Sequence, residues 1–217
     1  MSVGQSDGRT VGLIGALVAV LLSLSPTVRL CAQVSVHATV GARYTTALVH
    51  DSIVVPVDAK PAIAPALALS IGEGTNGPWT PEAALDVSWA ALQRHESGEA
   101  AKFNSVTVIA FTVGARREVG PGLAARVGIG AIKYLPADET GMFRGGSGLW
   151  AVGTAGLYWS PAMLGGPAHD FGVSLRYDVH RFSTPALHAD GFTSAQLVHR
   201  LSLAIGARIL GKGRTAP

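Results

Sequence analysis

Charged residues, aromatic residues and cysteine are all scarce in this chain. Only 14% of its 217 residues are charged, 6% are aromatic and a single one, Cys31, is a cysteine, whereas soluble proteins carry about 25% charged residues. The shortage of charge argues against an ordinary soluble surface, and one cysteine excludes a fold held together by disulfides within the chain. The net charge of +3 is small and the basic residues form no cluster, so we expect no nucleic-acid partner.

Residues 1–32 have the pattern of a secretory signal peptide. Arg9 gives a positive start, an uncharged apolar run covers residues 11–28, and small residues end the segment at Ala32. We expect cleavage after Ala32, which leaves a secreted chain without cysteine. Two alternatives remain open: an uncleaved membrane anchor, because the run is near spanning length, and a lipoprotein acylated at Cys31, which the two residues before it disfavour.

Apolar residues alternate with small or polar ones in eight segments that follow. The clearest is the last, "QLVHRLSLAIGARIL" (residues 196–210), which puts leucine and isoleucine on one face and arginine, serine and glycine on the other. The segments "VSVHATVGARYTTALV" (34–49) and "FGVSLRYDVHRF" (171–182) repeat this period of two, which predicts β-strands. Tight turns alternate with longer polar loops, and this combination with an even strand number is typical of an outer-membrane barrel.

The composition of the second face decides between two kinds of barrel. A soluble, lipocalin-like barrel would turn its apolar face inward and expose lysine and glutamate to water. Here the second face carries glycine, alanine, serine, threonine and isolated charges, which suit the crowded interior of a narrow barrel. We therefore predict an eight-stranded antiparallel up-and-down transmembrane β-barrel, an all-β fold, over residues 33–210, with a tail over 211–217.

Aromatic residues on the apolar face support the same choice. They divide into a group near the loop ends of their strands and a group towards the turn ends, as expected for belts at the two membrane interfaces. The predicted interface residues are Tyr44, Trp89, Phe103, Phe111, Trp159, Phe171 and Tyr177. A helical membrane protein is the rival interpretation, because residues 145–169 are uncharged and long enough to span. That stretch holds seven glycines and two prolines, and its neighbours alternate with period two.

Over residues 34–210 the sequence resembles the small eight-stranded outer-membrane barrels of the OmpA and OmpX kind. The resemblance implies export through the inner membrane, insertion by the outer-membrane assembly machinery, and contact with outer-membrane lipid. One departure concerns insertion. Such families end their last strand at a C-terminal aromatic, whereas here the strand ends near Leu210 and "GKGRTAP" follows.

Charged residues on the inward parity are the candidate functional residues. They are His37, Arg43, Asp86, Arg126, Arg176, Asp178, Arg200 and Arg208. By strand order, Arg43 and Arg200 should lie near one end of the seam between the first and last strands, with Asp178 one strand away. Charges buried in a lumen need partners, so we predict a structural salt-bridge network. A narrow pore that favours anions is the alternative.

We expect no catalytic site in this chain. Lipid A deacylases resemble this architecture and use a His/Ser pair with a carboxylate, and the candidates for such a site are His180, Ser183, His188 and Asp190. Their spacing departs from that family's His-x-Ser motif. The same histidines with His199 show no recognised metal-ligand spacing. We therefore expect no enzyme, no cofactor and no metal, but a barrel that stabilises the outer membrane or displays its loops.

Overall fold

Eight antiparallel strands close into a ring in the computed structural model of the chain. The structure describes the residue ranges 34–51, 57–73, 78–96, 99–160, 171–192 and 194–210. The predicted signal peptide over residues 1–32 and the predicted tail over residues 211–217 lie outside these described residues.

The described residues are mostly strand. In chain order the strands are β1 (Val34–Thr45), β2 (Val49–Asp51), β3 (Val57–Pro61), β4 (Ala64–Glu73), β5 (Trp79–Glu96), β6 (Glu99–Gly120), β7 (Leu123–Pro136), β8 (Leu149–Trp159), β9 (Phe171–Phe182) and β10 (Gln196–Leu210). A 3-10 turn at Gly141–Phe143 and a short helix α1 at Pro185–Ala189 lie in two of the connections. Within the described ranges no helix has the length and apolar character needed to cross a bilayer.

The ring closes because both ends of the sheet find partners. β1 pairs with β4 on one side and β10 on the other, β5 pairs with β4 and β6, and β6 to β10 pair in sequence. β3 and β4 both pair with β5 and together fill one position in the ring, interrupted at Ala62–Ile63. The backbone N–H of Ala62 still donates to the carbonyl of Ala91, at 2.8 Å. The eight-stranded antiparallel ring predicted from the alternation is confirmed.

The connections separate into two ends. At the turn end lie the tight turn between β6 and β7, where Gly122 takes a φ of 68°, the first residue of β1 and the last residue of β10. At the loop end lie the β2–β3 excursion, the 3-10 turn and α1. The left-handed φ at Gly122 explains a glycine there, since residues with a Cβ adopt it at a cost.

Two polar segments that the sequence predicts as connections contain strand pairs instead. In "HDSIVVPVDAKP" (50–61), β2 pairs with β3. The polar segment "HESGEAAK" (95–102) reads as a connection, but β5 and β6 remain paired as far as Glu96 opposite Glu99. Leu92 pairs with Asn104 and Gln93 with Lys102, so Phe103 is the extra residue of a β-bulge. Backbone pairing continues beyond the apolar part of the strands because a hairpin with two polar faces satisfies its own hydrogen bonds.

The two faces of the wall have opposite character. On β10, Leu203 and Ile205 are 60% and 65% exposed on the outside, while Arg200 on the same strand is 1% exposed on the inside. Both faces of β6 carry valine or isoleucine, so its alternation alone does not show which face points inward. In the structure Val106 and Val108 point inward and Phe111 outward. Large apolar side chains on the outer face of every ring strand are the opposite of a soluble barrel's surface.

Candidate functional site

The lumen contains three layers of side chains. A layer of ion pairs occupies the middle, an apolar cluster lies towards the loop end, and a small polar cavity lies towards the turn end. The three layers are described in that order.

Arg43 and Asp86 form the centre of the middle layer. Arg43 Nη2 donates to Asp86 Oδ2 at 2.6 Å and Nη1 donates to Oδ1, so the pair is bidentate. Arg43 Nε also donates to Ser202 Oγ at 2.7 Å. Both charged side chains are at most 2% exposed, and such a buried pair is stable only while each charge keeps its partner.

Two further arginines share the carboxylates of this layer. Arg176 Nε donates to Asp178 Oδ1 at 2.7 Å. Arg200 lies between the two acids, with Nη2 at 3.5 Å from Asp86 Oδ1 and Nη1 at 3.6 Å from Asp178 Oδ2. Arg200 and Asp178 are direct cross-strand partners on β10 and β9. Five of the eight residues that the parity pointed to thus meet in one network.

The other three lie nearer the turn end. Arg126 pairs with Glu82 at 3.0 Å and donates to Thr112 Oγ1 at 2.9 Å. His37 is the cross-strand partner of Arg208, and its ring meets that of Tyr158 edge-on at 5.9 Å.

Two charged lumen residues were missed by the sequence reasoning. Glu82 shares the parity of Asp86 on β5, but it lies just before the alternating segment "AALDVSWAALQ" (83–93), which predicts that strand. Arg116 lies in "FNSVTVIAFTVGARR" (103–117), whose two faces both carry valine or isoleucine, so the sequence does not show which face points inward. Its Nη1 is 3.5 Å from His37 Nε2. Extending β5 by its parity to the preceding turn former finds Glu82, whereas Arg116 is found only once the inward face of β6 is known.

The loop-end layer is apolar and comes from the wall and the loops together. Its fully or nearly buried members are Leu48, Leu92, Val106, Val108, Ala110, Ile132, Tyr134, Phe143, Val152, Phe182, Leu187 and Val198. Phe143 comes from the β7–β8 connection and Leu187 from α1, so two loops insert side chains into the mouth of the barrel. Beneath them Tyr134 Oη and His180 Nε2 are 3.0 Å apart.

These two loops are also bonded to each other. Thr184 caps α1 by accepting from the Leu187 N–H at 3.3 Å, and its hydroxyl donates to the Met142 carbonyl at 2.5 Å. Arg144 and Asp190 form an exposed ion pair at 3.7 Å. The surface at the loop end is therefore anchored by burial and by hydrogen bonds, and we name these two connections, residues 137–148 and 183–192, the lid.

The candidate catalytic residues do not assemble into one site. Ser183 Oγ and His188 Nε2 lie 2.8 Å apart on the lid, which is a nucleophile–base distance. Asp190, however, pairs with Arg144 instead of orienting His188, and His180 points into the lumen. His199 lies on the outer wall, with Nδ1 2.5 Å from Tyr177 Oη. Among the described residues no three histidine, cysteine or acidic side chains are grouped to hold a metal.

The seven aromatics chosen for the membrane interfaces all lie on the outer face, 38% to 62% exposed. Trp159 and Phe171 stand at the turn ends of β8 and β9, and Tyr44 lies near the loop end of β1. Phe111 lies near the middle of β6, not towards the turn end, because β6 extends further than its apolar part. Trp79 was missed: it is exposed at the turn end, with the Arg117 guanidinium 5.7 Å from its ring centre.

A closed eight-strand ring with an apolar outside and an inside filled with side chains is the fold of the small outer-membrane β-barrel proteins. Solved structures with this fold match the chain. The structure of the outer membrane protein AlkL in lipid bilayers matches at a TM-score of 0.51 and 10% identity, over 88% of this chain and 97% of AlkL. The outer membrane protein Ail of Yersinia pestis matches at a TM-score of 0.46 and 15% identity, over 81% of this chain and 99% of Ail. No protein-family model matches the chain, and no curated protein does. At these identities the likeness concerns the fold alone.

Proposed function

We propose that this chain is a non-enzymatic, non-conducting barrel of the bacterial outer membrane that presents a fixed surface at its loop end. The lid is the observation that carries the proposal. Phe143 is fully buried although it comes from a connection between strands, and Thr184 fastens the other lid loop to Met142. A surface fixed in this way binds a partner without a large cost in loop ordering.

The outer wall supports a membrane location. Every ring strand exposes large apolar side chains, and a strand in lipid must have its backbone groups paired, which the closed ring provides. In this proposal the chain is exported with a cleaved signal peptide, is inserted by the outer-membrane assembly machinery, and contacts outer-membrane lipid along its apolar face. The loop end would then face the outside of the cell.

The filled lumen argues against the anion-favouring pore. An ion entering from the loop end would have to displace the apolar cluster and then cross the Arg43–Asp86 layer, whose side chains are at most 2% exposed. Eight strands enclose room for side chains rather than for a water channel. The arginines of the middle layer are better explained as partners of Asp86 and Asp178.

Planar-bilayer recording tests this function directly. Refolded barrel, shown by gel mobility to be folded, is expected to give no discrete conductance steps in potassium chloride. The control is the double variant Phe143→Ala/Leu187→Ala, which opens the lid but leaves the ion-pair layer in place, and it should also give none. Steady single-channel steps from the unaltered protein would overturn the proposal, and steps from the double variant alone would show that the lid, not the ion-pair layer, blocks passage.

A further inference from the structure

A polar cavity lies inside the barrel at the turn end, below the ion-pair layer. Its volume is about 80 Å³, and its lining includes Arg116, Arg126, Arg176, Glu82 and His37. A cavity of this size has room for several water molecules or for one small ion. The ring of Tyr158 also lines it and packs against Gly172, where an added methyl group would overlap the phenol.

Buried arginine donors at this cavity lack hydrogen-bond partners among the described residues. Arg176 donates from its Nε to Asp178 and Thr154, and its Nη1 forms an ion pair with Asp86 Oδ2 at 3.7 Å, beyond hydrogen-bond distance. Arg176 Nη2 and Arg126 Nε donate a hydrogen bond to no described residue. Arg176 is only 9% exposed. A buried charged donor without an acceptor is costly, so an acceptor in the cavity would stabilise Arg176 Nη2 and Arg126 Nε.

The described part of the lumen also carries an excess of positive charge. Six arginines with buried or half-buried side chains face inward, against three carboxylates: Arg43, Arg116, Arg126, Arg176, Arg200 and Arg208, with Glu82, Asp86 and Asp178. Asp86 and Asp178 belong to the middle layer, which leaves Glu82 as the one buried carboxylate at the cavity. Glu118, on the same face of β6 as Arg116, is exposed at the rim. Excess positive charge in a lumen of low dielectric favours a bound anion.

We propose that this cavity binds one small inorganic oxyanion, such as phosphate or sulfate. The oxygens accept charge-assisted hydrogen bonds from Arg176 Nη2 and from Arg126 Nε, and Arg116 adds a third positive charge from the turn-end side. The site is closed towards the loop end, because the ion-pair layer and the apolar cluster fill the lumen above it. It stands on the lumen geometry and does not depend on the proposed role of the lid.

Binding of inorganic phosphate to refolded barrel in detergent micelles tests the site. Phosphate replaces chloride at constant ionic strength, and calorimetric titration and thermal unfolding are followed together. We expect saturable binding at one site per barrel and a rise in melting temperature, since a ligand of the native state stabilises it. Sulfate should compete with phosphate.

Two neighbouring arginines provide the matched variants. Arg116→Gln removes a cavity charge and is expected to weaken phosphate binding about tenfold, because the bound anion loses the attraction of one nearby positive charge. Arg117→Gln removes the same charge on the outer face of the same strand and should leave binding unchanged. Glu82→Gln should tighten binding severalfold, because it removes the one buried negative charge at the cavity; this opposite sign separates binding from damage to the fold.

Three results would overturn the site. The first is the absence of saturable phosphate binding, which would mean that water alone fills the cavity. The second is an equal loss of binding in the Arg116 and Arg117 variants, which would mean that net charge attracts the anion without a site. The third is weaker binding in Glu82→Gln. Boiled and unboiled gel mobility establishes beforehand that each variant is folded.

Discussion

Arg43 on β1 and Asp86 on β5 pair across the width of an intervening strand. β4 lies between them, and Arg43 and Asp86 stand opposite its residues Ala64 and Ala68. These alanines leave the space through which the arginine reaches the carboxylate. Small residues on the inner face of β4 are therefore part of the ion-pair layer, although they carry no charge.

Removing the carboxylate should destabilise the barrel strongly. Asp86→Asn leaves Arg43 without its bidentate partner and removes one of the two carboxylates near Arg200. We therefore expect the free energy of unfolding to fall by ~3–5 kcal/mol. Denaturant unfolding in lipid vesicles, followed by tryptophan fluorescence, measures the change. The control Glu99→Gln removes an exposed carboxylate and should change stability by less than ~0.5 kcal/mol. Equal effects of the two substitutions would contradict the role given to the ion-pair layer.

The lid should depend on its buried aromatic. Phe143→Ala removes a fully buried ring and is expected to cost ~3 kcal/mol of local stability. Limited proteolysis of folded barrel in micelles should then cut the β7–β8 connection faster. Arg144→Gln, next in sequence, removes an exposed ion pair at 3.7 Å and should leave the cleavage rate near that of the unaltered protein. If both variants were as resistant as the parent, the lid would not be held by this ring.

Charge on the outer wall distinguishes lipid from water. Leu203 lies at the middle of β10 and Leu197 near its loop end, and both are exposed. In a bilayer, Leu203→Arg should cost ~2–4 kcal/mol and Leu197→Arg only ~0–1 kcal/mol, because the cost of charge falls towards the interface. Reversible unfolding in vesicles measures both. Two equally small costs would indicate that water, not lipid, covers this face.

Close packing at the turn end makes a separate prediction. A methyl group at Gly172 would overlap the Tyr158 ring, whereas at Gly120 the nearest atom, Leu123 Cβ, would be 4.0 Å away. Gly172→Ala is therefore expected to lower the free energy of unfolding by ~1–3 kcal/mol. Gly120→Ala should be neutral or slightly stabilising. The same denaturant titration compares them. A harmless Gly172→Ala would mean that both the Tyr158 ring and the Trp159 backbone carbonyl, 2.6 Å from the added carbon, can shift.

The alternation of residues was sufficient to predict the ring and the direction of its faces. Side chains in a strand point to opposite sides with a fixed period of two, so the leucines and arginines of β10 carry this information locally. The same parity pointed to Asp178 and Arg200 as inward residues. It did not pair Arg43 with Asp86, because that contact depends on the register of β4 between them.

The lid and the length of the β5–β6 hairpin could not be read from the sequence. Phe143 and Leu187 lie in segments without periodicity, and their burial depends on where two distant loops meet above the lumen. Glu96 and Glu99, at the end of the hairpin, are charged residues of a kind that usually indicates a loop. In both cases the deciding contacts are long-range or involve only the backbone, which side-chain patterns do not record.

The most direct test of a closed barrel in the outer membrane is the migration of boiled and unboiled membrane fractions on a gel. A tagged chain is expressed in a Gram-negative host, the outer membrane and the periplasm are separated, and each sample is run with and without heating. The closed ring predicts a band in the outer-membrane fraction that migrates differently after boiling. A soluble periplasmic band with unchanged migration would contradict the account.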